Sequence, residues 1–381
     1  MKGEPYSSHY FKELVENPYL QKYGVDVIVG GPGTWQLDDK RIMEKFNVDA
    51  LVIGEGERVA PELFKKAMDG EELPKSVQGE VIPAEDIPNI KGPTINGLVE
   101  ISRGCGRGCS FCKPTLLNLR HRPIEDIVEE VKMNVEADNA KALLHAEDVL
   151  RYGSQDLTPE PSKLLKLIEE VKKQTDNISF SHAALASVAS DPQLIREISE
   201  LLHIGTEKKP WFSAQVGLET GSKELAKKHL KGKAKPFDPE EWPSVIREAF
   251  QIFDQNDWLP CITVIMGLPG ETSDDVMETM ELLDDIWDKD FFIVPLMFVP
   301  LGASEGEDFF SRDDMEPEHW QLLARCIRKD FDIVPKLIED ISVMDDISAV
   351  KKHGYHLLTR YMMRRLEPHI EAMEDGRDPS R

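Results

Sequence analysis

The chain has 381 residues, 40% hydrophobic and 30% charged, which suits two domains or one large α/β domain with appendages. Its 46 Lys and Arg against 70 Asp and Glu leave a formal charge of −24, which disfavours non-specific binding to nucleic-acid backbones while leaving room for a local basic groove. No run approaches the roughly 20 apolar residues that span a bilayer and the N-terminus holds no apolar signal core, so a cytoplasmic location is expected.

Residues 1–92 read as a small α/β segment. Two short apolar runs, Val25–Val29 and Ala50–Ile53, lead into Gly30-Gly31-Pro32-Gly33 and Gly54-Glu55-Gly56-Glu57. A helical stretch follows from Val59 to Met68. Strand-to-glycine turns of this kind lie at the carboxyl ends of parallel strands, where ligands bind. Residues 70–94 carry several prolines and little periodicity, and read as a linker.

Residues 93–312 alternate strand-like and helix-like patterns. The strand-like runs are 98–102, 142–146, 178–183, 211–218, 262–268 and 291–299. The helix-like runs are 124–137, 161–175, 192–202, 223–230, 243–256 and 273–288. Six consecutive β/α units predict a parallel sheet, and six are fewer than the eight of a closed barrel. The expected fold is therefore a partial (β/α)6 barrel, open at one side, with its chemistry at the carboxyl ends of the strands.

Residues 313–381 read as a helical C-terminal region with a disordered tail after Met373. Leu358, Met362, Leu366 and Ile370 recur every four residues, which predicts an apolar face packed on the barrel. Lys351, Lys352, Arg360, Arg364 and Arg365 make the same stretch basic, so docking to a membrane surface or a lipid-like substrate is the second reading.

Three of the five cysteines lie within eight residues, in the stretch Ile101–Pro114: Cys105, Cys109 and Cys112, spaced Cys-x3-Cys-x2-Cys, with Phe111 before the last. An odd total clustered in this way does not read as a secreted disulfide framework. Three thiolates on one loop can hold three irons of a [4Fe–4S] cube and leave the fourth open for a ligand. Gly104, Gly106 and Gly108 let the backbone wrap closely. Arg103, Arg107 and Lys113 are expected to favour thiolate over thiol. The competing reading is structural zinc, but no second Cys pair exists and His121 is the nearest candidate for a fourth ligand.

A Cys-x3-Cys-x2-Cys loop directly after the first strand of a β/α series resembles the radical S-adenosylmethionine (SAM) superfamily. The resemblance implies that the open iron chelates the amino and carboxylate groups of SAM. One electron then cleaves the sulfonium C–S bond, giving methionine and a 5′-deoxyadenosyl radical. It also implies an electron donor such as ferredoxin or flavodoxin.

Later strand ends carry weaker matches. In 143–149, Glu147 is the residue implied to bind the SAM amino group, with Asp148 as second choice; a helix cap is the plain alternative. In 179–183, Ser181 and His182 are candidates for cofactor or substrate contact, or for an internally satisfied pair. In 217–222, Glu219 is placed to accept from ribose hydroxyls or the amino group. Val264–Thr272 resembles the family's GxIxGxxGE pattern, with Thr263 in place of the first glycine. There Ile265 would pack on adenine, Gly267 and Gly270 would allow close approach, and Glu271 would be structural. Phe298-Val299-Pro300 would close the adenine pocket.

The stretches 25–37 and 50–57 resemble the second half of the cobalamin-binding domain that precedes many radical SAM enzymes. This implies cobalamin as a candidate second cofactor, cradled by Gly30, Gly31 and Gly54. The domain's earlier β/α units are missing before Val25 and no D-x-H-x-x-G motif is present, so the segment reads as a shortened version. The function expected is radical methylation, C–C bond formation or rearrangement at an unactivated carbon of a small-molecule or lipid-like substrate. A methylthiotransferase acting on tRNA or a ribosomal protein is the enzyme alternative, and the family's second cluster would need three more cysteines where only Cys261 and Cys326 remain. A non-catalytic cobalamin- or cluster-binding sensor is the alternative from another class.

Overall fold

The computed structural model describes residues 7–31, 34, 46, 48–112, 118–137, 141–301, 304, 307–344 and 347–380. Gly33 and Lys113, named above, lie outside the described residues. The chain forms two compact units, Met1–Asn89 and Ile90–Arg381.

In the first unit, helices α1 (Ser7–Val15) and α2 (Pro18–Tyr23) precede β1 (Ile28–Val29), β2 (Ala50–Ile53), α3 (Val59–Asp69) and β3 (Ser76–Gln78). The three strands form one parallel sheet in the order β1-β2-β3. Leu51 is fully buried and joins Val15, Phe46 and Val48 in a small core. The stretch 70–94 is therefore not a plain linker: Ser76–Gln78 extends the sheet, and Ile82, Ala84 and Ile87 are buried. A strand reading Ser-Val-Gln has one apolar position, too few for periodicity to register. It is held by backbone bonds, Leu51 N–H to Lys75 O and Gly79 N–H to Ile53 O.

In the second unit six parallel strands follow one another in chain order: β4 (Leu98–Glu100), β7 (Lys141–His145), β8 (Asn177–Phe180), β9 (Gln215–Glu219), β10 (Cys261–Met266) and β11 (Phe292–Met297). Two short strands, β5 (Ser102–Arg103) and β6 (Arg120–His121), pair antiparallel beside them. The six form two three-stranded ladders, β4-β7-β8 and β9-β10-β11, joined by a parallel bridge between His182 and Gln215. Among the described residues β4 and β11 do not pair, so the partial barrel is open.

The helices that cover the strands are α4 (Ile124–Glu136), α5 (Pro161–Lys172), α6 (Leu185–Ser190), α7 (Pro192–Leu201), α8 (Lys223–His229), α9 (Trp242–Gln255) and α10 (Ser273–Asp285). Their starts follow local chemistry. Pro161 opens α5; the Asp191 carboxylate accepts from Leu194 N–H at the start of α7; Thr272 and Asp275 form a capping box on α10. Helix α5 buries residues at helical spacing, Leu164, Leu167, Ile168 and Val171, whereas α6 is buried from Leu185 to Ala189. Residues 211–214, expected as strand, precede β9 and pair only through an isolated parallel bridge between Phe212 and Trp258, whose rings also pack together.

Helices α11 (Pro317–Met344) and α12 (Ala349–Glu374) complete the unit. Here two expectations fail. Ile370 is buried, but Leu358, Met362 and Leu366 are exposed. A four-residue spacing advances the face by about 40° per step at 3.6 residues per turn, so those positions wind away from the one that packs. The tail after Met373 is not disordered up to residue 380. Gly376 takes a positive φ of 71° and closes the helix onto Met373 O, Asp378 pairs with Arg312, and Pro379 O lies 3.2 Å from His369 Nδ1.

A buried ion pair fixes the start of the barrel. Glu130 on α4 meets Arg122 at 2.8 Å, with both side chains 2% exposed, and also accepts from Ile90 N–H. Arg122 in turn donates to Glu100 O at the end of β4. Removing one partner strands the other charge in low dielectric, so Glu130→Ala should cost about 3–5 kcal/mol of stability. Chemical denaturation of the variant checks this, and an unchanged midpoint would show the pair to be dispensable.

Candidate functional site: a clamped cysteine loop

The loop carrying the three cysteines leaves the barrel just after β4 and is pinched at its base by the β5·β6 pair. Gly104 has φ 84°, and a Cβ there would sit 2.1 Å from Asn118 O on the returning arm. The two arms therefore touch where only glycine fits.

Arg107 holds the loop from inside. It is 5% exposed. One amino group donates to the carbonyls of Gly232, Lys233 and Lys235, the last at 2.9 Å. The other donates to Asp148 Oδ2 at 3.0 Å, Ser187 Oγ at 2.8 Å and Leu157 O at 3.3 Å. Gly232 lies so close that a Cβ would overlap Arg107 O at 1.4 Å. Arg151 donates to Cys105 O at 2.7 Å. Ser110 Oγ lies 2.7 Å from His229 Nδ1, and the other nitrogen of His229 reaches Pro269 O. Ser304 N–H and Oγ both donate to Ser110 O. The loop is thus tied to segments that follow strands β7 to β11.

All three thiols are free of disulfides. Burial pushes the Cys105 thiol up, against a weaker opposing pull from Arg107, and pushes Cys109 up against Lys233. Cys112 rises to about 12, through burial first and then through Cys109, Cys105 and Glu147. The expectation that nearby cations favour thiolate is corrected here, because desolvation outweighs them. Arg103 is engaged with Glu100 in two 2.8 Å bonds, and Arg107 with Asp148. A metal centre held by these three cysteines would take them as thiolates, with release of their protons.

The zinc reading does not fit. His121 has both ring nitrogens occupied, Nδ1 by Ser102 Oγ at 2.8 Å and Nε2 by Ser154 O at 2.8 Å. Among the described residues no three His, Cys, Asp or Glu side chains converge on a single ion. A cube asks less of convergence, since each thiolate takes its own iron. Three cysteines on one clamped loop, none of them in a disulfide, fit that donor set.

The other sequence-derived positions lie as follows. Glu147, just past β7, is exposed; its charge acts on both Cys112 and His182, so it faces the same mouth. Asp148 is buried and engaged by Arg107, Ser187 and Ala184 N–H, which makes it structural. Ser181, after β8, shares its hydroxyl with His145 Nδ1 and His182 Nδ1, each at 3.0 Å. Burial holds the His182 imidazole below its ordinary value, against Glu147.

Glu219, at the end of β9, is 6% exposed with φ 65°. It pairs with Lys233 and accepts from Thr263 Oγ1 at 3.1 Å. Thr263, the departure from the glycine pattern, thus supports Glu219 directly. A Cβ at Gly217 would collide with both Glu219 Oε1 and Lys233 Nζ, so that glycine makes room for the pair. Burial alone would lower the Lys233 ammonium, but Glu219 and then Cys109 outweigh it and hold it above its ordinary value. Sequence reasoning missed Lys233; a lysine among Lys231, Lys233 and Lys235 carries no pattern that marks it.

Ile265 packs beside Leu225, Leu268, Phe298, Phe111 and Phe310, an apolar cluster next to the cysteine loop. Gly267 has φ 81°, and a Cβ would meet the Phe310 ring at 2.0 Å. Its N–H donates to Glu271, which also bonds His319 of α11 at 3.0 Å. In the first unit Gly30 lies exposed after β1 and Gly31 has φ 91° with open space at its Cβ position. Gly54 follows β2 with φ 87°, and its Cβ would approach Gln78 Nε2 at 3.0 Å.

Residues 99–283 match the Radical SAM superfamily. The ribosomal protein uS12 methylthiotransferase RimO of Dictyoglomus thermophilum is 30% identical over 49% of this chain and 39% of its own length. The tRNA-2-methylthio-N(6)-dimethylallyladenosine synthase of Bacillus subtilis is 25% identical over 72% of this chain and 53% of its own. The uncharacterised protein MJ1620 of Methanocaldococcus jannaschii is 24% identical over 78% and 67%. The chain thus spans about half or less of the length of the first two. The solved structure of the radical SAM methyltransferase TsrM from Kitasatospora setae, with cobalamin and a [4Fe–4S] cluster bound, shares the fold at a TM-score of 0.57 and 13% identity, over 79% of this chain and 62% of that one.

An open barrel of six strands with a three-cysteine loop at its mouth defines a cluster-dependent class of enzyme. Residues 99–283 are a radical SAM domain by that match, and such a domain implies SAM and a [4Fe–4S] cluster as its cofactors.

Substitution of Cys109 by Ala should abolish the broad absorbance at the blue end of the visible spectrum after anaerobic reconstitution. Cys326→Ala, remote from the loop on α11, should keep it. Loss of the chromophore in the Cys326 variant would overturn the ligand assignment.

Proposed function

We propose that the protein reductively cleaves SAM at a cluster held by Cys105, Cys109 and Cys112, and so starts radical chemistry at an unactivated carbon of a small-molecule or lipid-like substrate. The observation that carries this is the clamped loop together with polar groups at successive strand ends: Glu147, Ser181 and Glu219. When bound, the cluster and SAM supply one-electron cleavage of the sulfonium bond to methionine and a 5′-deoxyadenosyl radical.

The residues act around that chemistry. Arg107, Arg151 and Ser110 keep the three sulfurs in one arrangement. Glu147 offers a carboxylate on the side of Cys112, where it can accept from an ammonium group. Glu219 and Lys233 form a neutral pair buried beside Cys109, able to accept from hydroxyls and to donate to a carboxylate. Ile265, Phe298 and Phe111 present the apolar surface on which a base stacks and from which water is excluded. His182, held neutral by burial, is placed to accept a proton near Glu147.

Gly30, Gly31 and Gly54 are proposed to cradle cobalamin as a second cofactor. The open surface at Gly31 and the positive φ angles after β1 and β2 support this, as does the cobalamin bound to the TsrM structure. The electron donor is proposed to be a ferredoxin or flavodoxin type of protein. The methylthiotransferase reading has support from the names of RimO and the tRNA synthase; of the other cysteines in these residues, Cys261 starts β10 and Cys326 is buried on α11. A sensor would have no use for Glu219 and Lys233 beside the cysteines.

Anaerobic reconstitution, reduction with dithionite and incubation with SAM should release 5′-deoxyadenosine. Fully loaded protein that releases none would sink the enzyme reading. Glu219→Ala should weaken SAM binding about tenfold or more while iron content stays the same, since it removes a buried partner of Lys233 and not a cluster ligand. Equal SAM affinity in that variant would remove Glu219 from the site.

A further inference from the structure

Helix α12 has two faces with different surroundings. Its inner face is tied to α11: Lys352 and His356 meet Glu339, Glu367 and Glu374 meet Arg328, and Ile370 and Met373 are buried. Its outer face leaves Val350, Leu357, Leu358, Tyr361 and Met362 in solvent, with Val350 82% and Tyr361 61% exposed. At about 100° per residue, Val350, Leu357 and Tyr361 fall on one line along the helix, with Leu358 and Met362 beside it. Large apolar side chains gathered this way on an exposed surface mark a contact site.

The charge on this stretch is opposite to that of the chain. Residues 349–366 contain five Lys and Arg and no Asp or Glu, in a protein of net charge −24. Lys352 is engaged with Glu339. Lys351, Arg360, Arg364 and Arg365 are exposed and have no ion-pair partner among the described residues. Arg364 and Arg365 lie on either side of the Tyr361 line by the same helical geometry.

This combination selects the occupant. A second copy of the chain, meeting the first across a two-fold axis, would bring these cations against their equivalents with no acid within the stretch to offset them. Nucleic acid would answer the cations but would leave five apolar side chains without an apolar partner. An anionic bilayer surface answers both. Apolar side chains enter the boundary between headgroups and acyl chains, Tyr rests at the interface, and Lys and Arg reach lipid phosphates. On such a surface the helix would lie flat, since no helix among the described residues is long and apolar enough to span a membrane.

We propose that the outer face of α12 is a docking surface for anionic membrane lipids. It stands on this helix and not on the radical reading, so the two fail separately.

The test is co-sedimentation of the full-length reconstituted protein with vesicles. One set is phosphatidylcholine alone, and the other contains about one-third phosphatidylglycerol. The expected result is binding to the anionic vesicles about tenfold or more above the neutral ones, weakened by added salt. Replacing Arg360, Arg364 and Arg365 together by Ala should lower the anionic partition about a hundredfold. Leu358→Ser with Tyr361→Ser should lower it as well, with melting temperature and 5′-deoxyadenosine release at the level of the unaltered protein. The proposal is overturned if the unaltered protein stays in the supernatant with anionic vesicles, or if the arginine variant binds them equally. It is also overturned if the same substitutions abolish tRNA binding or dissociate a dimer while vesicle binding is absent.

Discussion

The cysteine loop keeps its shape because one guanidinium, that of Arg107, is buried at its centre. A charge in that position is tolerable only while its partners are present, since stranding it costs about 3–5 kcal/mol. Asp148, Ser187 and four backbone carbonyls supply those partners, and they come from segments that follow β7, β8 and β9. Three separate β/α units therefore have to be in place before the loop can close. Folding of the barrel and formation of the ligand set are one event at this point.

Electrostatics at the mouth are dominated by desolvation. All three thiols are pushed towards the protonated form, although Arg107, Arg151 and Lys233 stand nearby, because burial outweighs the pull of those cations. Such a loop is quiet in the absence of a metal centre. Lys233 is held in its ammonium form against the same burial because Glu219 pairs with it. Glu219, Lys233, Thr263 and Gly217 are one device, in which a hydroxyl and a missing side chain make room for an ion pair.

Much of this was legible from residue patterns, and the exceptions have physical causes. The six strands and their helices follow from apolar runs and caps, and the cysteine spacing marked the loop. The roles expected of Asp148 and Arg103 were not realised in the structure, because a sequence does not show that each is engaged by a neighbour of opposite charge. Ser76–Gln78 was hidden because its pairing is made by the backbone. The four-residue repeat on α12 misled because it drifts around the helix, so that Ile370 is buried and Leu358 is not. Lys233 was invisible because its significance comes from a loop that returns across β9.

The bridge between His182 and Gln215 is the narrowest join in the barrel. Two backbone bonds, Gln215 N–H to Ser181 O and Ala183 N–H to Gln215 O, fasten the halves there, whereas β10 and β11 pair over six residues. Local opening costs least where the fewest ladder bonds must break. Ser181 and His182 sit on this seam, so a local opening there would displace the one hydroxyl that both imidazoles share.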